Sequence, residues 1–248
     1  MFRLFLTILI TVMLIPACLP ALEGEGAEVE VTLSDTAAAD TAQTEEAPVD
    51  TIPIVRRAFR GDSDQHRNFA TLESRAPLQT TLLLTSAING YVLVRADSVA
   101  DSLVLKLDID LTQLTTGYPE RDSLVFSHDF LDFDTATVAT LNLVRVTKAE
   151  EKELVNEQTG KYVGVAELWL GGVIDTVSVT FEMTYLEGNK VTETRLPGHL
   201  LHLTVNSFFR LSDFGVKIPK AALLKLDDRI ALRVDIFTAF VEEIVQEP

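Results

Sequence analysis

The stretch Leu103–Leu114, LVLKLDIDLTQL, repeats with a period of two. Leu103, Leu105, Leu107, Ile109 and Leu111 fall on one side, and Lys106, Asp108, Asp110 and Thr112 on the other. Only extended chain sends successive side chains to opposite faces, so this segment is a strand with one dry face. VIDTVSVTFEMTYL repeats the pattern, setting Val173, Val177, Val179, Phe181 and Met183 against Thr176, Ser178, Thr180 and Glu182. LLHLTVNSF and RIALRVDIF do the same. About eight such strands follow one another, and alternation of this kind marks antiparallel sheet. The expected class is all-β. Eight antiparallel strands closed into a barrel leave no free edge and can enclose one small ligand, while a two-sheet sandwich shares the same periodicity. Asn89-Gly90 predicts a tight hairpin turn and Glu187-Gly188-Asn189 another. One or two short helices are expected, over Pro119–Phe126 and Pro219–Leu224.

The 248 residues, 47% hydrophobic and 23% charged, suffice for a real core. The net charge of −16 argues against nucleic acid as a partner, since phosphate recognition needs clustered Lys and Arg. Much of that acidity is local. From Leu19 to Ile54 there are nine carboxylates, no aromatic residue and no Lys or Arg, which, with Arg3 of the first segment also set aside, leaves about −8 on the remaining body. Such a segment buries too little apolar surface to offset chain entropy, and residues 18–55 are expected to be a disordered acidic tether.

The first residues, MFRLFLTILITVMLIPACLPAL, carry a cationic Arg3, an apolar run Leu4–Ile15 and then Ile15-Pro16-Ala17-Cys18. A small residue directly before a cysteine after an apolar run resembles the lipobox of bacterial lipoproteins. That resemblance implies a signal peptide over residues 1–17 and acylation of Cys18, the only cysteine in the chain. An uncleaved membrane anchor, or secretion with cleavage near Ala21, are the alternatives. With Leu19 rather than Asp after the cysteine, the expectation is a protein lipid-anchored in the bacterial cell envelope, facing the periplasm at the outer membrane. A lone cysteine excludes an intramolecular disulfide and a thiol nucleophile in the body.

Several residues invite catalytic or metal readings. LVLKLDIDLT matches the strand-borne DxDxT signature of haloacid-dehalogenase-type phosphatases, with Asp108 as nucleophile, Asp110 as acid/base and Asp227-Asp228 as a metal pair. That chemistry needs a parallel sheet with crossover helices, which this pattern lacks. His199 and His202 would share a helix face but point apart on a strand. His66 and His128 have no partner that spacing supplies, and a metal set of His128, Asp129, Asp132 and Asp134 is explained more cheaply by solvated carboxylates and turn caps. Trp169 alternates with Leu168 and Leu170 and should lie outside. No GxGxxG after a strand, phosphate loop or GxSxG elbow occurs. The expectation is therefore no catalytic residue, no metal and no cofactor.

RDSLVFSHDFLDFDTATVATL, preceded by LTQLTTG, resembles the diagnostic segment of the YceI-like, polyisoprenoid-binding family: Thr116-Gly117, Arg121-Asp122, Ser127 and Asp129-Phe130-Leu131-Asp132 fall in order. AELWLGGVIDTV, LSDFGV and LDDRIALRVDIFTAF are similar to its later motifs, with Gly171, Ile174, Thr176 and Leu211 standing where the family has His, Thr, Pro and Arg. The resemblance covers about residues 68–240, within a domain set at residues 56–248. It implies a lipocalin-like barrel that holds a long isoprenoid-type lipid without catalysis. Phe126, Phe130 and Phe133 would supply an apolar rim that Asp and Arg residues fix by local hydrogen bonds. If the apolar strand faces line the cavity, Leu105, Leu107, Ile109, Val177, Val179, Phe181, Leu203, Val205, Leu232 and Val234 contact the lipid. With no charged clamp inside, a neutral or weakly polar head fits better than a diphosphate. A barrel filled by its own side chains, serving as a structural or interaction module, is the alternative. A homodimer is compatible with either.

Overall fold

The computed structural model describes residues 54–63, 67–125, 137–218, 220–222 and 224–246. Ten strands run in order: β1 (Ile54–Gly61), β2 (Phe69–Arg75), β3 (Thr80–Thr85), β4 (Ile88–Val94), β5 (Val104–Asp110), β6 (Val138–Ala149), β7 (Thr159–Leu170), β8 (Val173–Leu186), β9 (Leu200–Arg210) and β10 (Arg229–Gln246). Two short helices, α1 (Val99–Ser102) and α2 (Pro119–Val125), interrupt them. The first strand begins at Ile54, two residues before the boundary expected from composition.

Every pairing between these strands is antiparallel. The ladder β1-β4-β5-β6-β7-β8-β9-β10 returns to β1, which closes an eight-stranded barrel. Closure depends on β10, the longest strand. Its first half pairs with β2 (Leu232 opposite Leu72), and its second half pairs with β1 (Ala239 opposite Arg60, Gln246 opposite Ile54). The hairpin of β2 and β3 continues the wall where β1 stops, and Leu84 and Thr115 exchange backbone hydrogen bonds of 2.8 and 2.9 Å to join it to the chain after β5. Eight barrel strands plus one hairpin account for the ten.

The alternation read from sequence is the alternation of burial. On β5, Leu105, Leu107 and Ile109 face inward and Lys106 and Asp108 outward. On β7, Tyr162, Ala166, Leu168 and Leu170 are buried while Trp169 is 47% exposed. The inner faces fuse into one apolar cluster, where each fully buried Val, Leu, Ile, Phe or Met contributes about 1.5–3 kcal/mol relative to exposure.

The turn expected at Asn89-Gly90 is not there. β4 runs straight through both residues; β3 and β4 run in the same direction and are joined by a bend at Ser86-Ala87, where the Ala87 N–H donates to Thr85 Oγ1 at 3.0 Å. Gly90 serves packing instead. A Cβ at Gly90 would sit 2.7 Å from Ile236 Cδ1, and one at its neighbour Gly61 would sit 3.0 Å from the same atom. Ile236 thus fills the space that two paired glycines leave inside the barrel. The tight hairpin of the fold is Gly171-Gly172 between β7 and β8, with φ of +59° and +81°, the left-handed pair that a two-residue turn requires. The Glu187-Gly188-Asn189 turn opens a longer connection to β9, in which Asn189 Oδ1 accepts from the N–H groups of Val191 and Thr192 at 2.8 and 3.1 Å. Helix α2 starts with Pro119, and Glu120 and Asp122 occupy its first turn, as the helix N-terminus favours. A 3-10 turn at Lys220–Ala222 stands for the second short helix.

Candidate functional site

The ten strand residues singled out from alternation all turn inward, and none is more than 5% exposed. Three, Leu105, Leu107 and Ile109, line β5. The other seven form one continuous wall across β8, β9 and β10, since Phe181 pairs with Val205 and Val205 with Val234. Val179 and Leu232 both oppose Ser207. Among the described residues no Asp, Glu, Lys, Arg or His is fully buried. The polar groups in this wall are mostly spent on the backbone: Ser207 Oγ donates to the Ser178 carbonyl at 2.9 Å, and Thr238 Oγ1 to the Leu201 carbonyl at 3.0 Å. Phe126, Phe130 and Phe133, and likewise Cys18, lie outside the described residues.

One end of the barrel carries a circuit of rings. Phe59 meets Tyr185 and Phe240 edge-on at 6.3 and 5.9 Å, and His199 stacks on Tyr185 at 5.9 Å and meets Phe240 edge-on at 5.8 Å, so the four rings form a closed circuit. The Gly188 N–H donates to His199 Nδ1 at 3.2 Å, which fixes that nitrogen as an acceptor. Tyr185 Oη, 3.0 Å away, donates to it as well. Burial pushes the Tyr185 phenol above its usual range, so it stays a donor.

The other end is held by carboxylates at its turns. Asp122 accepts from Thr115 Oγ1 at 2.6 Å, from the Thr116 N–H at 2.7 Å and from the Thr116 hydroxyl. Those hydroxyls, first Thr115 and then Thr116, hold its carboxyl below the ordinary range. Arg121 lies over the Tyr118 ring at 4.9 Å. Asp228 accepts from the Ser212 N–H at 2.8 Å and its hydroxyl at 2.7 Å, which pins the LSDF turn.

The remaining phosphatase-like carboxylates have the same kind of employment. Asp108 faces outward, 2.6 Å from Thr140 Oγ1 and 2.9 Å from Lys106 Nζ. Asp110 caps the 3-10 turn after β5 through the Thr112 N–H at 2.9 Å. Asp227 accepts from the Arg229 N–H at 2.9 Å. His202 stands on the outer face, 2.9 Å from Asp235 Oδ1 and stacked on Phe237 at 4.2 Å. It is unconnected to His199 in the ring circuit. His66, His128, Asp129, Asp132 and Asp134 lie outside the described residues, and among the described residues no three His, Cys, Asp or Glu side chains gather as a metal site. A shallow groove of about 210 Å³ among Lys148, Glu150, Lys161, Thr180 and Glu182 touches Tyr162 and Phe181. At ~30 Å³ per water it has room for about seven waters, and its charged rim suits no long apolar chain.

Alternation within β7 also places Tyr162 inside, a residue that the sequence reading passed over. Its ring stacks on Phe181, 5.2 Å between centroids and 16° from parallel. Its hydroxyl lies against Gly160, where a Cβ would fall 2.4 Å away. Tyr162 Oη and Arg56 Nε are the buried side-chain polar atoms without a hydrogen-bond partner among the described residues. The available signal was the spacing Gly160, Tyr162, Gly164, Ala166: one large phenol on an inner face otherwise kept small.

A family model for the YceI-like domain matches residues 73–238, which contain most of the barrel. The chain belongs to the YceI-like family. Its fold is also that of solved relatives. BcnA from Burkholderia cenocepacia superposes with a TM-score of 0.55 at 17% identity, over 71% of this chain and 99% of its own. A polyisoprenoid binding domain from Saccharophagus degradans, implicated in plant cell wall breakdown, superposes with a TM-score of 0.53 at 13% identity, over 74% of this chain and 98% of its own. No curated protein matches the chain significantly. At these identities the YceI-like likeness establishes the barrel, and the chemistry of the interior has to be argued from this chain's own residues.

Proposed function

We propose that this YceI-like protein binds a long apolar isoprenoid-type lipid inside its barrel, without catalysis, as a carrier or sequestering protein tethered to the cell envelope through Cys18. The observation that carries the reading is the wall of inward apolar side chains with no buried charge among the described residues. Family membership supports it, as does the fold shared with a polyisoprenoid binding domain. Each five-carbon unit buried is worth about 4 kcal/mol at ~0.8 kcal/mol per carbon. Against association costs of about 4–15 kcal/mol, micromolar binding takes roughly three to six units. The lipid is therefore long.

Native mass spectrometry of protein purified from its own membranes tests this directly, with co-purifying lipid as the expected result. Phe181→Arg sets a cation in the middle of the wall. Lipid content should fall sharply while circular dichroism still reports the barrel. Unchanged lipid in a folded Phe181→Arg protein would put the ligand elsewhere. The tether is tested separately: Cys18→Ala should abolish acylation and release the processed chain from membranes.

A second reading, a filled barrel acting as an interaction module, draws on one observation. Ile236 occupies the space over Gly61 and Gly90, so that side of the interior is taken up by protein. Lipid-free protein from native membranes, binding no added isoprenoid, would favour it.

A further inference from the structure

We propose that the Tyr162 hydroxyl donates a hydrogen bond to the bound lipid, and that the lipid carries a neutral oxygen acceptor, such as a carbonyl, at the end that enters the barrel first. The inference rests on the lipid-binding reading above and specifies the ligand class for it.

The argument starts from an anomaly of residue choice. Tyr162 is 2% exposed, and its ring is fully used in stacking on Phe181. Phenylalanine would give the same packing. The hydroxyl adds a buried donor that no group among the described residues accepts, and leaving such a donor unmade is destabilising. Moreover, β7 makes room for it. Gly160, two residues earlier on the same inner face, leaves free the volume that the oxygen occupies, since any Cβ there would lie 2.4 Å from Oη. The interior hydroxyls of Ser207 and Thr238 show the usual solution, a neighbouring carbonyl at 2.9–3.0 Å. Tyr162 departs from that pattern.

Position and charge narrow the acceptor. Gly160 pairs with Met183, two residues before Tyr185 of the ring circuit. The ring of Tyr162 folds back toward Gly160, so its hydroxyl faces the end with the ring circuit, the far end for a chain that enters past the turns. Burial, with a smaller push from Glu151, raises the phenol to about 12, so it remains a proton donor throughout the physiological range. A diphosphate or carboxylate would need a cation to offset its desolvation, and neither β7 nor its partner β8 carries a Lys or Arg on its inner face. A neutral carbonyl asks only for one donor.

Two probes test the assignment on the delipidated full-length chain: an all-trans tetraprenyl methyl ketone, and the matching hydrocarbon with CH2 in place of the carbonyl. Wild-type protein should bind both, the ketone more tightly. Tyr162→Phe should lose about five- to tenfold in ketone affinity, the worth of one neutral hydrogen bond. Its hydrocarbon affinity should stay within twofold, and its lipid-free melting temperature should be no lower than wild type. With a 13C-labelled carbonyl, the infrared stretch of the bound ketone should lie at lower frequency in wild type than in Tyr162→Phe. Equal ketone affinity and equal carbonyl frequency in the two proteins would overturn the inference and leave lipid binding standing. So would a lower lipid-free melting temperature with unchanged selectivity, which would give the hydroxyl a structural partner. Binding of neither probe by wild-type protein would overturn the lipid-binding reading itself.

Discussion

The two ends of the barrel are held by different physics. At one end four rings, Phe59, Tyr185, His199 and Phe240, form a circuit of three edge-on contacts and one stack around a histidine acceptor. At the other, turns and the short helix α2 are tied down by Asp110, Asp122 and Asp228 through hydrogen bonds to nearby hydroxyls and N–H groups. Ring packing buries area drawn from strands far apart in sequence, so it should belong to the global fold. Carboxylate ties span 2 to 16 residues and are partly wet, so they should open locally. Acidic residues at the turns of a barrel end can thus be scaffolding.

The strongest way to break this comparison is Phe59→Ala. Phe59 is fully buried, so its removal should cost about 3–5 kcal/mol of global stability in denaturant unfolding. A loss below about 1 kcal/mol would mean that the ring circuit is ornamental. Next comes Gly90→Val, which forces a side chain against Ile236 and should cost about 1–3 kcal/mol through overpacking. His199→Ala removes the shared acceptor of Tyr185 Oη and the Gly188 N–H; Gly188 is exposed and can turn to water, so the cost should be about 0.5–1.5 kcal/mol.

The turn-tied end sharpens the contrast by its small effects. Asp122→Ala should leave the unfolding midpoint nearly unchanged while hydrogen exchange at the Thr116 amide accelerates. Acid should loosen the same tie. Because the folded protein depresses the Asp122 carboxyl, its contribution is intact above the ordinary carboxylate range, about pH 4, and fades as pH falls through the lower folded value. Protection of the Thr116 amide, relative to its intrinsic exchange at each pH, should therefore fall below about pH 4 before the ring end loosens. The least effect is expected for Asp108→Asn on the outer face, within about 0.5 kcal/mol.

What the sequence made legible was whatever a strand's own periodicity encodes. All ten residues singled out on β5, β8, β9 and β10 do turn inward, because the side of a strand follows from counting by two. Gly90 was misread because Asn-Gly carries a local turn signal, whereas its actual constraint is Ile236, almost 150 residues away in sequence. Tyr162 was on the right face but unremarked. Nothing local distinguishes a phenol with a partner from one without, since the partner depends on which backbone carbonyls the barrel brings near. The pairing of β10 first with β2 and then with β1 was equally invisible, because alternation says which face a residue takes and never which neighbour a strand chooses.

That last pairing has a temporal consequence. Ile54 and Gln246, about 190 residues apart, are partners in one ladder, so the wall closes only when the final strand is available. At roughly 5–20 residues per second of synthesis, β1 waits about 10–40 seconds for its mate. Through that interval the nascent sheet has an open seam and an uncovered apolar face. Closure of so non-local a ladder then adds milliseconds to seconds. A chain built this way acquires its interior last, and any lipid it holds must arrive at that final step or pass the turn-tied end afterwards.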